Sequence, residues 1–160
     1  MKKIILFALV VLSLSTNAQN KKSKKMVKSK KEVVTEKKAV VYQVFTRLFG
    51  NKNTTNKPWG TIEENGVGKF NDFTDKALTE IKKLGVTHIW YTGVPHHALV
   101  NDYTAIGVSN DDPEVVKGRA GSPYAVKDYY NVNPDLAVNP AKRLEEFEAL
   151  IARTHKNGLK

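Results

Sequence analysis

The sequence predicts an α/β fold, and three stretches carry that prediction. Val40 to Phe49 opens with a near-continuous run of β-branched and aromatic residues, as expected of a parallel-sheet strand buried on both faces. Phe73, Ala77, Leu78, Ile81 and Leu84 then recur at the spacing of one helical face. Val86 to Tyr91 (VTHIWY) returns to strand composition after a short turn, and the order is that of a βαβ unit.

Each element has its own warrant. Met1 to Ala18 reads as a secretory signal, with Lys2 and Lys3, an apolar core from Ile4 to Leu14, and a small-residue cleavage site before Gln19. The apolar run is too short to span a bilayer comfortably, so export to the periplasm or cell exterior is expected. Residues 19 to 38 hold nine Lys against Glu32 and Glu36 and no apolar period, which predicts a solvated, disordered linker. Residues 39 to 160 form the folded part. Asn51 to Asn65 is dense in Asn, Thr and Gly and is expected to be a loop. Asp72 or Thr74 caps the first helix, and Gly85 stops it.

Between Thr92 and Val138 only a short helix is expected, started by Asp112 and Pro113 and running through EVVKG. Gly121 to Pro134 (GSPYAVKDYYNVNP) is too broken for a helix and too polar for a buried strand, so it reads as an aromatic-rich loop. Such loops are more often functional than decorative. Asn139 with Pro140 starts the last helix, whose apolar face is Leu144, Phe147, Leu150 and Ile151 and whose end is Gly158.

Charge excludes one class of function. The chain of 160 residues carries a net charge of +10, but from Ala39 onward 15 basic residues face 14 acidic ones. A nucleic-acid-binding domain carries its charge on the folded surface, so no nucleic-acid partner is expected. There is no Cys, hence no disulfide framework and no thiol for lipid attachment.

Three collinear motifs carry a resemblance. GSPYAVKDYYNVNPDLA, with Tyr124, Asp128, Tyr129, Val132 and Pro134, resembles the segment after the second barrel strand of the α-amylase family of glycoside hydrolases. VVYQVFTRLFGN (Val40 to Asn51) is similar to that family's first strand, and LGVTHIWYTGV (Leu84 to Val94) to its passage into the second. RLEEFEALIARTHKNGLK is similar to its second helix, so the resemblance covers Val40 to Lys160. It implies the first two βα units of a (β/α)8 TIM barrel, with a long loop after the second strand and truncation before the third. It also implies an α-glucan or oligosaccharide substrate and a retaining mechanism with two carboxyl groups. In the family those carboxyls follow later strands, so no catalytic residue is expected within these residues. The alternative is a non-catalytic carbohydrate-binding or surface protein that shares the start of the fold.

The resemblance assigns residues as well. Tyr124 is expected to stack on the sugar at the cleaved bond, since a pyranose offers a face of C–H groups to an aromatic ring; the competing role is a plug over the barrel. Gly121 and Ser122 stand where family members carry an acidic or His side chain. Asp128 is expected to hold the loop by hydrogen bonds more than to touch substrate. His97, or its neighbour His96, is a candidate for a sugar hydroxyl, while His88 is expected to be interior. FGNKNTTNKP resembles a calcium loop with oxygen ligands at Asn51, Asn53 and Asn56. Its donors are amides only, and Lys57 stands where another amide is expected, which leaves an ordinary Asn-rich turn as the alternative.

Overall fold

The structure, a computed structural model, describes residues 38–160. The expected signal (1–18) and nearly all of the Lys-rich linker (19–38) lie outside the described residues.

Strand β1 (Val41–Phe45) pairs in parallel with β2 (His88–Thr92), Val41 opposite His88 and Phe45 opposite Thr92. The connection between them holds a one-turn helix α1 (Ile62–Asn65) and the helix α2 (Asp75–Lys83). Thr74 caps α2 by accepting from the Ala77 N–H at 3.2 Å, and Gly85 follows at φ +82°. This is the expected βαβ unit, with strand ends a few residues inside the expected limits. The Asn51–Asn65 loop adds α1, whose Thr61–Glu64 capping box lets so short a helix form.

The core lies on one face of the parallel pair. Val44, Ile89 and Tyr91 from the strands meet Phe73, Leu78 and Ile81 beside α2 and Leu150 from α3 (Arg143–Lys156). Phe73 is the centre of it: its ring stacks on Phe49 at 4.1 Å and meets the edge of Tyr91 at 5.0 Å. Tyr91 then satisfies its hydroxyl on Thr154 of α3, at 2.7 Å. Arg153 fixes the same helix by donating to the carbonyls of Phe70 and Phe73, each at 2.8 Å.

Four expectations need correction. Leu84 and Leu144 belong to the expected apolar faces of their helices but are exposed: Leu84 follows the last turn of α2 and Leu144 stands in the first turn of α3. The EVVKG helix does not form. Asp112 instead caps a turn at the Glu114 N–H, 2.9 Å, and Val116 tucks in alone. Gly121 to Pro134 is not all loop, for Val126–Val132 forms strand β4, antiparallel to β3 (Pro95–His97). An exposed two-stranded ribbon needs no continuous apolar run. Finally, β1 is not buried on both faces: opposite the helices, Val41, Phe45 and Trp90 stay exposed.

The free edge of β2 is also occupied at one point. The Ile89 N–H donates to the Lys160 carbonyl at 2.8 Å, and the Lys160 N–H donates to Thr87 at 3.0 Å. That alternation is the hydrogen-bond pattern of a parallel neighbour. Leu159, just before it, is buried in the core.

Candidate functional site

The ribbon β3–β4 starts directly after β2, so it stands at the carboxyl end of the parallel pair. Gly93 makes the turn at φ +85°, and the Asn133 N–H closes that same end of the ribbon on the Val94 carbonyl at 2.8 Å. Pairing is irregular, with register shifts on both sides of His96. The shifts let His96 and His97 both turn inward, against the alternation expected of neighbours in a strand.

Tyr124 lies in the turn that leads into β4. Gly121 at φ +70° packs so closely against Ala98 that a Cβ there would sit 1.7 Å from its carbonyl oxygen. Ser122 then accepts from the Tyr124 and Ala125 N–H groups, at 3.4 and 3.0 Å. The turn is therefore fixed while the ring it carries is 76% exposed. An exposed ring on an anchored turn is the arrangement a stacking platform needs.

Asp128 accepts from the Tyr130 N–H at 2.9 Å and borders a cavity of about 420 Å³ with His96, Ser109, Lys127 and Asn131. Lys127 donates to both Asp111 oxygens, at 2.9 and 2.8 Å, and Asp111 in turn receives the Leu99 N–H at 3.0 Å. His97, a candidate for a sugar hydroxyl, is buried, and its ring nitrogens face the Pro95 and Ala120 carbonyls at 3.2 and 3.0 Å. It anchors the ribbon and offers no free face to a sugar. His96 is also buried, with Nε2 unpartnered. Burial, and then the Lys127 charge, hold its basicity below the usual imidazole range. His88 is half-buried on the open face of β2, bonded through Nδ1 to Thr87 at 2.7 Å.

The Asn-rich loop forms a second concavity. Asn51 donates to the Asn65 carbonyl at 3.0 Å and accepts from the Asn53 N–H at 3.1 Å. Asn53 donates to the Glu64 carbonyl and accepts from Thr55, at 2.8 and 2.9 Å, and Asn56 donates to Thr54 at 3.2 Å. Their amides close the loop on itself. Asn51 and Asn56 border a cavity of about 240 Å³ that Arg47, Lys57, Lys117 and Arg119 also line, with no carboxylate in its wall. Calcium favours six to eight oxygens and benefits from carboxylate charge. The Asn51 and Asn53 side-chain oxygens already accept from N–H groups, and four cations line the same wall, a poor fit to a cation.

Trp59 stands at the rim of that cavity with φ +55°, 56% exposed. A bulky residue in that region carries strain of about 1–3 kcal/mol. The turn under it is locked. Asn65 accepts from the Lys57 N–H at 2.7 Å and donates back to the Lys57 carbonyl at 2.9 Å.

Sequence reasoning missed Asp135. It is fully buried and accepts from Arg47 at 2.6 Å, Asn101 at 2.8 Å and Tyr103 at 2.7 Å. It thereby joins the end of β1, the long loop and the end of β4. Burial, and then the Asp135 charge, push the Tyr103 hydroxyl far up in pKa. The only sequence signal is the Asn133–Pro134–Asp135 turn, where Asn133 accepts from the Asp135 N–H at 2.9 Å.

No family model matches the chain. Trehalose-6-phosphate hydrolase from Bacillus subtilis (strain 168) is 31% identical over 124 residues, covering 78% of this chain and 16% of that protein. Pullulanase A from Streptococcus pneumoniae serotype 2 is 28% identical over 134 residues, covering 78% of this chain and 10% of its own length. An α-amylase from Lactobacillus plantarum, in its crystal structure, shares 30% identity at a TM-score of 0.48, over 76% of this chain and 21% of that one. The chain thus spans a small part of each relative.

Proposed function

The chain belongs to the α-amylase family of glycoside hydrolases, and from that premise we propose that it supplies the sugar-stacking, amino-terminal part of an exported enzyme acting on α-glucans. In this reading β1, β2 and their helices are the first two βα units of a (β/α)8 barrel. The parallel register, the site at the carboxyl ends of the strands and the place of Lys160 support it. Tyr124 is the sugar platform and Asp128 orders the strand behind it.

The observation that carries the proposal is the exposed Tyr124 ring on a turn fixed by Gly121 and Ser122. The catalytic pair of a retaining glycosidase comes from outside these residues. Asp111, Asp128 and Asp135, the carboxylates of the ribbon and the loops beside it, each accept internal donors.

Titration of the chain with a malto-oligosaccharide tests the platform. Tyr124→Ala should weaken binding about tenfold, while Tyr124→Phe, which keeps the ring, should stay within about threefold of the parent. The same preparation should show no maltoside turnover. Equal binding by all three chains would remove Tyr124 from the site, and turnover abolished by Asp111→Asn would replace the proposed placement of the chemistry.

Export follows the same reading. The mature chain should begin at Gln19, and intact-mass analysis of secreted material still carrying Met1 would rule that out.

A further inference from the structure

We propose that the cavity between the Asn-rich loop and residues 117–120 binds the anionic group, phosphate or carboxylate, of a charged sugar. Its wall carries four cations and no carboxylate. Two of the four are matched internally, Arg47 by Asp135 and Lys57 by Glu64. Lys117 has no acidic partner among the described residues. Arg119 has none either: one nitrogen reaches the Val100 carbonyl at 3.3 Å, and Nε is buried without an acceptor. Glu63 and Glu64 both lie within Coulombic range of Arg119, and Glu63 shares an adjoining cavity with it, but neither forms an ion pair with Arg119 and neither is part of this wall.

A guanidinium with unused donors beside a free ammonium is a site for an oxyanion. Asn51 and Asn56 add polar groups to the same wall, and Trp59 adds an exposed aromatic face at its rim. An indole packs on the C–H face of a pyranose, so ring and charge together fit a sugar that bears an anion better than either a neutral sugar or a bare ion. The cavity, about 240 Å³, falls just below the range of about 300–1,000 Å³ usual for small-molecule sites, so the occupant is one sugar unit. Its Lys117–Ala120 wall runs directly into the Gly121–Tyr124 turn, which makes it a neighbour of the sugar platform in the chain. The sugar part of the inference rests on the glycosidase reading; the anion part does not.

The test uses the whole chain in a Trp90→Phe background, so that Trp59 is the remaining fluorophore. Glucose 6-phosphate, glucuronate, inorganic phosphate and glucose are titrated in low salt. At least one charged sugar should bind about tenfold or more tighter than glucose, with the phosphate and carboxylate arms showing which anion is preferred. Lys117→Met with Arg119→Gln should erase that difference, and Trp59→Ala, followed by calorimetry because it removes the fluorophore, should erase the advantage of the charged sugar over inorganic phosphate. Should Arg119→Gln fail to fold, the exposed, unpaired Lys117→Met alone should still cut the difference by severalfold and flatten its salt dependence.

Glucose binding as tightly as its charged counterparts, or a preference untouched by these substitutions, overturns the proposal. Malto-oligosaccharide titration of Tyr124→Ala keeps the two readings apart. A Tyr124 effect without charge preference leaves the platform standing and removes this cavity. Charge preference without a Tyr124 effect does the reverse.

Discussion

Asp135 shows how much of this fold depends on one carboxylate. It has no solvent exposure, three side-chain donors, and a backbone carbonyl that also receives Lys69. Asp135→Asn keeps an acceptor for Tyr103 and Asn101 but turns an amide N–H or a neutral oxygen toward Arg47. Losing one member of a buried pair costs on the order of 3 kcal/mol. Urea denaturation should show that loss, and a change under about 0.5 kcal/mol would show that Arg47 finds water instead. The residue was illegible in the sequence for a physical reason: Arg47 lies 88 positions away, and no local period links the two. The exposure of Tyr124 follows from local features, a Gly-Ser-Pro turn followed by polar alternation. The buried state of His97 was not legible, since the register shifts that turn it inward come from pairing with a strand 30 residues later.

Helices were easier to read than the ribbon. Thr74, Gly85 and Gly158 are punctuation that acts on the nearest few residues, at the ends of α2 and α3, whereas Asn139 caps a short 3-10 turn (Pro140–Lys142) that leads into α3. Strands β3 and β4 have no such signature, because a Pro-led triplet and the polar stretch VKDYYNV become strands only by pairing with each other. The ribbon hangs on Gly121. A side chain there meets both a left-handed backbone and the Ala98 carbonyl at 1.7 Å, whereas Gly118, at φ +65°, has open space around its Cβ position. Gly118→Ala should therefore cost about 1–2 kcal/mol, the left-handed penalty alone. Gly121→Ala should cost clearly more and abolish any binding that uses Tyr124. Thermal melts of the two variants compare them directly, and equal losses would mean that the ribbon shifts freely to admit the methyl.

For the chain as a whole, the α/β class was readable from period and punctuation, but the state of the sheet was not. Continuous apolar strands announce burial on two faces; the helices cover only one, and nothing among the described residues covers Val41, Phe45 and Trp90. The charge of the second concavity was equally hidden, because Arg47, Lys57, Lys117 and Arg119 come together from distant stretches. That charge bears on metal binding. A ligand held only by the folded state raises its melting temperature by mass action. The chain should melt at the same temperature with calcium or with chelator, and a fall of several degrees in chelator would restore Asn51, Asn53 and Asn56 as ligands.

The two hydrogen bonds between Lys160 and β2 also impose an order in time. Most of the core joins segments that leave the ribosome well before residue 160, since β1, α2 and β2 all precede Thr92. The Ile89 amide, however, finds its acceptor only at Lys160, and Leu159 fills its place in the core only one step earlier. The parallel pair can therefore form during synthesis while its outer edge stays open to water. Closing that edge must wait until Leu159 and Lys160 have been made.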